Sequence, residues 1–148
     1  MCDDELLDRM RAVLLRHEEI HYAYLFGSRA FGGFRSDSDV DVAIGLVESD
    51  RSHRVWLDVM GDLALAVAPL EVDCLLLNGA PVGLRFAVVR DGRTLMDRLP
   101  AARRAFEVAT RREYWDWEPH RARHEEALIR RLREGRYGTR DARPLAQG

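Results

Sequence analysis

Apolar residues recur along this chain with two distinct periods. Over residues 4–17, Leu6, Leu7, Met10, Val13 and Leu14 fall at helical spacing behind acids in the first turn, which predicts a helix. "HYAYLF" then reads as a strand, and "GSRAFGGFRSDS" as a loop with room for one helical turn after Gly27–Ser28. "DVDVAIGL" alternates strictly and predicts a second strand. Across 51–68, Val55, Val59, Leu63 and Val67 form one stripe, and Pro69 stops the helix. "LEVDCLLLN" predicts a third strand, "APVGLRFAVVRDG" a short helix ending in a turn, and "RTLMDR" a short strand or extension. Residues 101–117 are helical in pattern. Pro119 ends or kinks that helix, and 120–133 continue it. The order predicts an α+β fold, a small mixed β-sheet with flanking helices and a C-terminal helical segment of about 101–135. No repeat or linker divides the chain, so 1–148 reads as a single domain.

Within the second predicted strand, parity decides what the acids do. Asp39, Asp41, Ala43 and Gly45 share one face, and Val40, Val42, Ile44 and Leu46 the other. The apolar face belongs to the core. The first carries two carboxylates and then only small residues, a pattern that leaves space for something large. Two carboxylates about 6.5 Å apart along the strand repel unless a cation lies between them. Their hard oxygens suit Mg²⁺ or Mn²⁺, which complete their shells with water and substrate phosphates. Asp37 has the same parity but sits in "RSDS", where a turn or cap role fits better. Asp73 stands in the otherwise apolar "EVDCLLLN", where an acid is costly to bury unless paired or metal-bound. If its strand neighbours the first acidic one, Asp73 completes a three-carboxylate site and could help take a proton. Upstream, Gly27 lets backbone N–H groups approach a phosphate, Ser28 offers a hydroxyl, and Arg29 a guanidinium fork.

Composition narrows the chemistry. All 23 basic residues are arginine, so there is no P-loop lysine and no lysine nucleophile. Cys2 and Cys74 make neither a zinc pattern nor a disulfide framework, and the N-terminus is acidic where a signal peptide would be basic. No apolar run spans a bilayer, so a cytoplasmic protein with no membrane partner is expected. The net charge of −2 conceals an asymmetry: residues 1–100 hold 11 arginines and 17 acids, residues 101–148 hold 12 arginines and 8 acids. The basic half could meet an acidic partner or nucleic acid, but its interleaved acids read best as a solvated helix face, and no direct nucleic-acid role is favoured. His120 and His124 lack a third ligand for a metal site. Trp115 and Trp117 are expected to pack in the core rather than anchor an interface.

Gly27–Ser28, ten residues, then Asp39-Val40-Asp41 is similar to the G-S-x10-D-x-D signature of the polymerase-beta-type nucleotidyltransferases. The likeness is tighter to the minimal nucleotidyltransferases called MNT proteins. "FGSRAFG" and "SDSDVDVAI" resemble their motif, "EVDCLLLNGAPVGLRFAVVRDGRTLMDR" their next segment, and "REYWDWEPHRARHEEAL" their C-terminal helix, over about residues 5–135. The resemblance implies a polymerase-beta-like fold with Mg²⁺ on Asp39, Asp41 and Asp73, and nucleotide phosphates at Gly27 and Ser28. It further implies an antitoxin that transfers AMP from ATP to a tyrosine of a cognate HEPN ribonuclease toxin. One departure is Phe31, at a loop position where many relatives carry arginine; phosphate binding would then fall to Arg29 or Arg35. Two alternatives stay open: an antitoxin that neutralises by binding alone, and an aminoglycoside-type small-molecule transferase. The latter would need a homo-oligomer to build its second wall.

Overall fold

The computed structural model describes residues 3–27, 39–117 and 127–131. Eight elements follow in order: α1 (Asp3–Arg16), β1 (Ile20–Phe26), β2 (Val40–Leu46), α2 (Ser52–Val67), β3 (Val72–Leu76), α3 (Val82–Asp91), β4 (Arg93–Asp97) and α4 (Pro100–Asp116). The expected mixed α+β fold is what is observed, with element ends within a residue or two of the periodic pattern. Residues 127–131 are helical, as expected. The loop residues Ser28, Arg29, Phe31, Arg35 and Asp37, together with Pro119, His120 and His124, lie outside the described residues.

The strands form one four-stranded sheet in the order β3-β2-β1-β4. β1 runs antiparallel to both β2 and β4, whereas β2 and β3 are parallel, joined by the α2 crossover. Strand alternation then sorts side chains into two layers. Val40, Val42 and Ile44 of β2 face α1 and α2, where Met10, Leu14, Val59 and Leu63 are fully buried. Each such side chain contributes roughly 1.5–3 kcal/mol of burial. On this side the Trp56 indole N–H of α2 donates to the Cys74 carbonyl of β3 at 2.8 Å.

The opposite layer holds Tyr22, Tyr24 and Phe26 of β1, Ala43 of β2 and Leu77, covered by Leu84, Ala87 and Val88 of α3 and by Phe106 of α4. This overturns the expectation of open space beyond the carboxylates. Gly45 is small because the Tyr22 ring lies against it; a Cβ there would run into the ring. The volume on that face is filled by the chain's own aromatics.

Candidate active site

β2 and β3 pair in parallel with Asp41 opposite Asp73. Two parallel neighbours in register point to the same face, about 4.8 Å apart along the hydrogen-bonding direction. Both carboxylates are buried, Asp41 at 2% exposure and Asp73 at 5%. The register is pinned at both ends. The Val40 N–H donates to the Glu71 carbonyl at 2.8 Å, and the Leu77 N–H to the Ile44 carbonyl at 2.9 Å. Beyond β3 the Asn78 side-chain amide continues the ladder. It accepts from the Leu46 N–H and donates to the Leu46 carbonyl, each at 2.9 Å. A slip of one residue would turn either acid into the α1–α2 core, where an unpaired carboxylate is prohibitive.

Gly27 closes the site from β1. Phe26 is the β1 residue opposite Asp41, and Gly27 follows it with φ +77°. That left-handed backbone favours glycine. A Cβ on Gly27 would run into Asp41 Oδ2, so the missing side chain lets the loop backbone lie directly on the carboxylate. Close approach of backbone to an acid group is what the Gly-Ser element needs if the same backbone is to meet a phosphate.

Asp39 stands one residue before β2 and is half-buried. The structure therefore brings Asp41, Asp73 and Gly27 together, with Asp39 just before the strand that carries Asp41. Among the described residues no three carboxylate, histidine or cysteine side chains converge as a metal-binding group. The donor chemistry nevertheless fits a hard divalent cation. Mg²⁺ commonly takes only one or two protein carboxylates, and the Asp41–Asp73 pair offers two beside a backbone cradle.

Sequence reasoning did not anticipate the polar network behind this face. The Tyr24 hydroxyl donates to Glu107 Oε2 at 2.6 Å, and Arg103 bridges Glu107 at 3.1 Å and Asp97 at 2.7 Å. Burial raises the Tyr24 phenol, helped by that bond to Glu107. Tyr22 is pushed up to about 12 by burial first and the Glu107 charge second. The signal was present in "HYAYLF", whose aromatics alternate and so must share one face with Asp41 once the two strands pair. Burial also pushes the Cys74 thiol up to about 12, with the neighbouring Asp73 charge adding to it. Of the two tryptophans expected in the core, Trp117 is half-buried and Trp115 is 60% exposed.

Comparison with known proteins agrees with this fold. A family model described as "Polymerase beta, Nucleotidyltransferase" matches residues 9–100. Among curated proteins, none matches the chain. Among solved structures, the chain resembles one described as a toxin-antitoxin with AMP-PNP. The identity is 24% and the TM-score 0.65, covering 83% of this chain and 94% of that one. It also resembles a tri-AMPylated Shewanella oneidensis HEPN toxin in complex with MNT antitoxin, at 22% identity and a TM-score of 0.63 over 86% and 96% of the two chains. A MntA-HepT toxin-antitoxin structure matches at 21% identity with a TM-score of 0.61, again over 86% and 96%. These likenesses establish a shared fold.

Proposed function

This chain belongs to the polymerase beta nucleotidyltransferase family, and from that premise we propose that it is an antitoxin transferring AMP from ATP to a tyrosine hydroxyl of a HEPN ribonuclease toxin. The observation that carries the reading is the in-register pairing of Asp41 with Asp73 beside Gly27. The similarity to structures of toxin–antitoxin complexes, one with AMP-PNP and one with a tri-AMPylated toxin, supports the donor and the acceptor.

In this reading the acceptor oxygen attacks the α-phosphorus of ATP in line. A new P–O bond forms, the α–β phosphoanhydride bond breaks, and pyrophosphate leaves. Asp39, Asp41 and Asp73 would hold Mg²⁺ or Mn²⁺, which when bound neutralises charge on the phosphates. Asp73, side by side with Asp41, is the carboxylate suited to receive the acceptor's proton. The Gly27 backbone, with Ser28 and Arg29 after it, would hold and orient the phosphates. In this reading the protein's main task is to position the reactants.

The test incubates the chain with the HEPN protein, ATP and Mg²⁺ and weighs the toxin by mass spectrometry. Wild type should add AMP units and suppress ribonuclease activity only when ATP is present. Asp39→Asn and Asp41→Asn should lose transfer while keeping the wild-type circular dichroism spectrum. Suppression that proceeds without ATP, or with folded Asp41→Asn, would instead establish neutralisation by binding alone.

A further inference from the structure

We infer that the outer face of α4 is a docking ridge for an acidic protein surface, by which this chain grips its acceptor. That the acceptor is a protein rests on the AMP-transfer reading above.

The rotation of α4 about its axis is fixed from inside. Thr110 and Tyr114 are fully buried, and the Phe106 ring sits 5.2 Å from Tyr22 and 6.4 Å from Tyr24, centroid to centroid. The Tyr24–Glu107 and Arg103–Asp97 bonds hold the same inner side. This leaves Arg104, Val108, Arg111 and Trp115 facing outward. Their spacings of four, three and four residues place them on a single helical stripe, with Arg112 beside it.

Two properties make the stripe unusual for a merely solvated face. Val108 and Trp115, the two large apolar side chains on the exposed surface of α4, are 47% and 60% exposed. The Trp115 ring is also held in place, edge-on to Tyr114 at 5.5 Å and to Phe86 at 6.3 Å, so little side-chain freedom is left to lose on binding. Meanwhile Arg104, Arg111 and Arg112 make no hydrogen bond or ion pair with the described residues. Arg85 and Arg103, on the inner sides of the two helices, do. Of the acids bordering the stripe, Glu113 is engaged by Arg85 at 2.9 Å, and Asp116 lies at the helix end.

Three guanidinium groups without a partner among the described residues call for anions, and the valine and indole between them call for apolar area. An acidic protein surface supplies both, whereas a polyanion has no use for Val108. Tryptophan and arginine are also the residues most enriched at the energetic centres of protein interfaces. A convex helical ridge fits the groove between two helices of a partner. α4 packs on the sheet face that bears Asp41 and Asp73, so a protein seated on it is held on the catalytic side.

The experiment measures binding of the full chain to the HEPN protein by calorimetry at two salt concentrations, alongside AMP-transfer kinetics. The double charge reversal Arg104→Glu/Arg111→Glu, and separately Trp115→Ala, should each weaken the complex at least about tenfold. Both should raise the KM for the protein acceptor and leave its kcat and the KM for ATP unchanged. Asp41→Asn should bind as wild type yet transfer nothing. Docking is read from Kd without any reaction, so a wild-type chain that binds but transfers nothing overturns the proposed reaction and not the ridge. If the double reversal does not fold, Arg104→Ala/Arg111→Ala should still flatten the salt dependence of Kd. Unchanged Kd in folded variants overturns the ridge. So does competition by a mixed-sequence RNA whose own binding falls in the same variants, or a wild-type dimer that Trp115→Ala dissociates.

Discussion

Gly27→Ala separates backbone conformation from site geometry. The left-handed φ of +77° costs a side-chain-bearing residue roughly 1–2 kcal/mol. In a chain of this length, each kcal/mol lowers the melting temperature by about 2–4 °C. That accounts for a loss of roughly 2–8 °C from conformation alone. The added methyl also meets the Asp41 carboxylate, and Asp41 is buried at 2% exposure with little room to retreat. Displacing a reacting group by about 1 Å commonly costs about a hundredfold in rate. Gly79 is the control, because its φ is +79° and a Cβ there meets nothing within 4 Å. Gly79→Ala should lose similar stability and keep full activity. Gly27→Ala should lose at least as much stability, and about a hundredfold in AMP transfer measured with labelled ATP. If Gly27→Ala melts with Gly79→Ala and transfers AMP at the wild-type rate, the contact between this glycine and Asp41 has no catalytic consequence.

Stability should fall in alkali. Cys74 and Tyr22 are each raised to about 12 from ordinary values of 9.0 and 10.0. A raised folded value means the folded state keeps its proton longer, so the stability is complete below the ordinary value and lost as pH climbs through the folded one. The melting temperature should hold to about pH 9 and decline towards pH 12, as stability falls by about 1.4 kcal/mol per unit for each group titrating only when unfolded. Cys74→Ala should delay the onset by about one unit, and a flat profile to pH 12 would contradict the burial assigned to both groups. Tyr24→Phe removes the 2.6 Å bond to Glu107, which keeps Arg103, so urea denaturation should register a loss of about 1 kcal/mol. Asn78→Ala leaves both Leu46 backbone groups without their side-chain partner, and should cost roughly 1–3 kcal/mol. Hydrogen exchange should then quicken at Leu46 and Leu77 before it does at β1.

Much of this arrangement was legible before any coordinates. Strict alternation in 39–46 put Asp41 opposite the core, and the apolar stripe of Val55, Val59, Leu63 and Val67 gave the crossover helix that parallel β2–β3 pairing requires. Asp73 could be named only conditionally, because strand adjacency is a long-range choice that no local pattern encodes. The same limit hid the filling of the Ala43–Gly45 face, since Tyr22 and Tyr24 reach it only through the register of β1 on β2. α4 misled for a different reason. Its aromatic and aliphatic residues allow more than one stripe, and the Tyr22–Phe106 contact selects the rotation that buries Tyr114 and exposes Trp115.

The bond from the Trp56 indole to the Cys74 carbonyl bears on how an acceptor can arrive. β3 is the last strand on its side of the sheet, and it carries Asp73. Left bare, such a rim is a template on which an extended foreign segment can add itself as a fifth strand. Cys74 is the middle residue of β3, and its carbonyl is already claimed at 2.8 Å by a bulky ring anchored in α2. A segment adding itself at that carbonyl would have to displace the indole, whether it came from a partner protein or from another copy of the chain. An acceptor in the proposed reaction would instead approach over the strand ends, from the side where Gly27 and Asp39 stand.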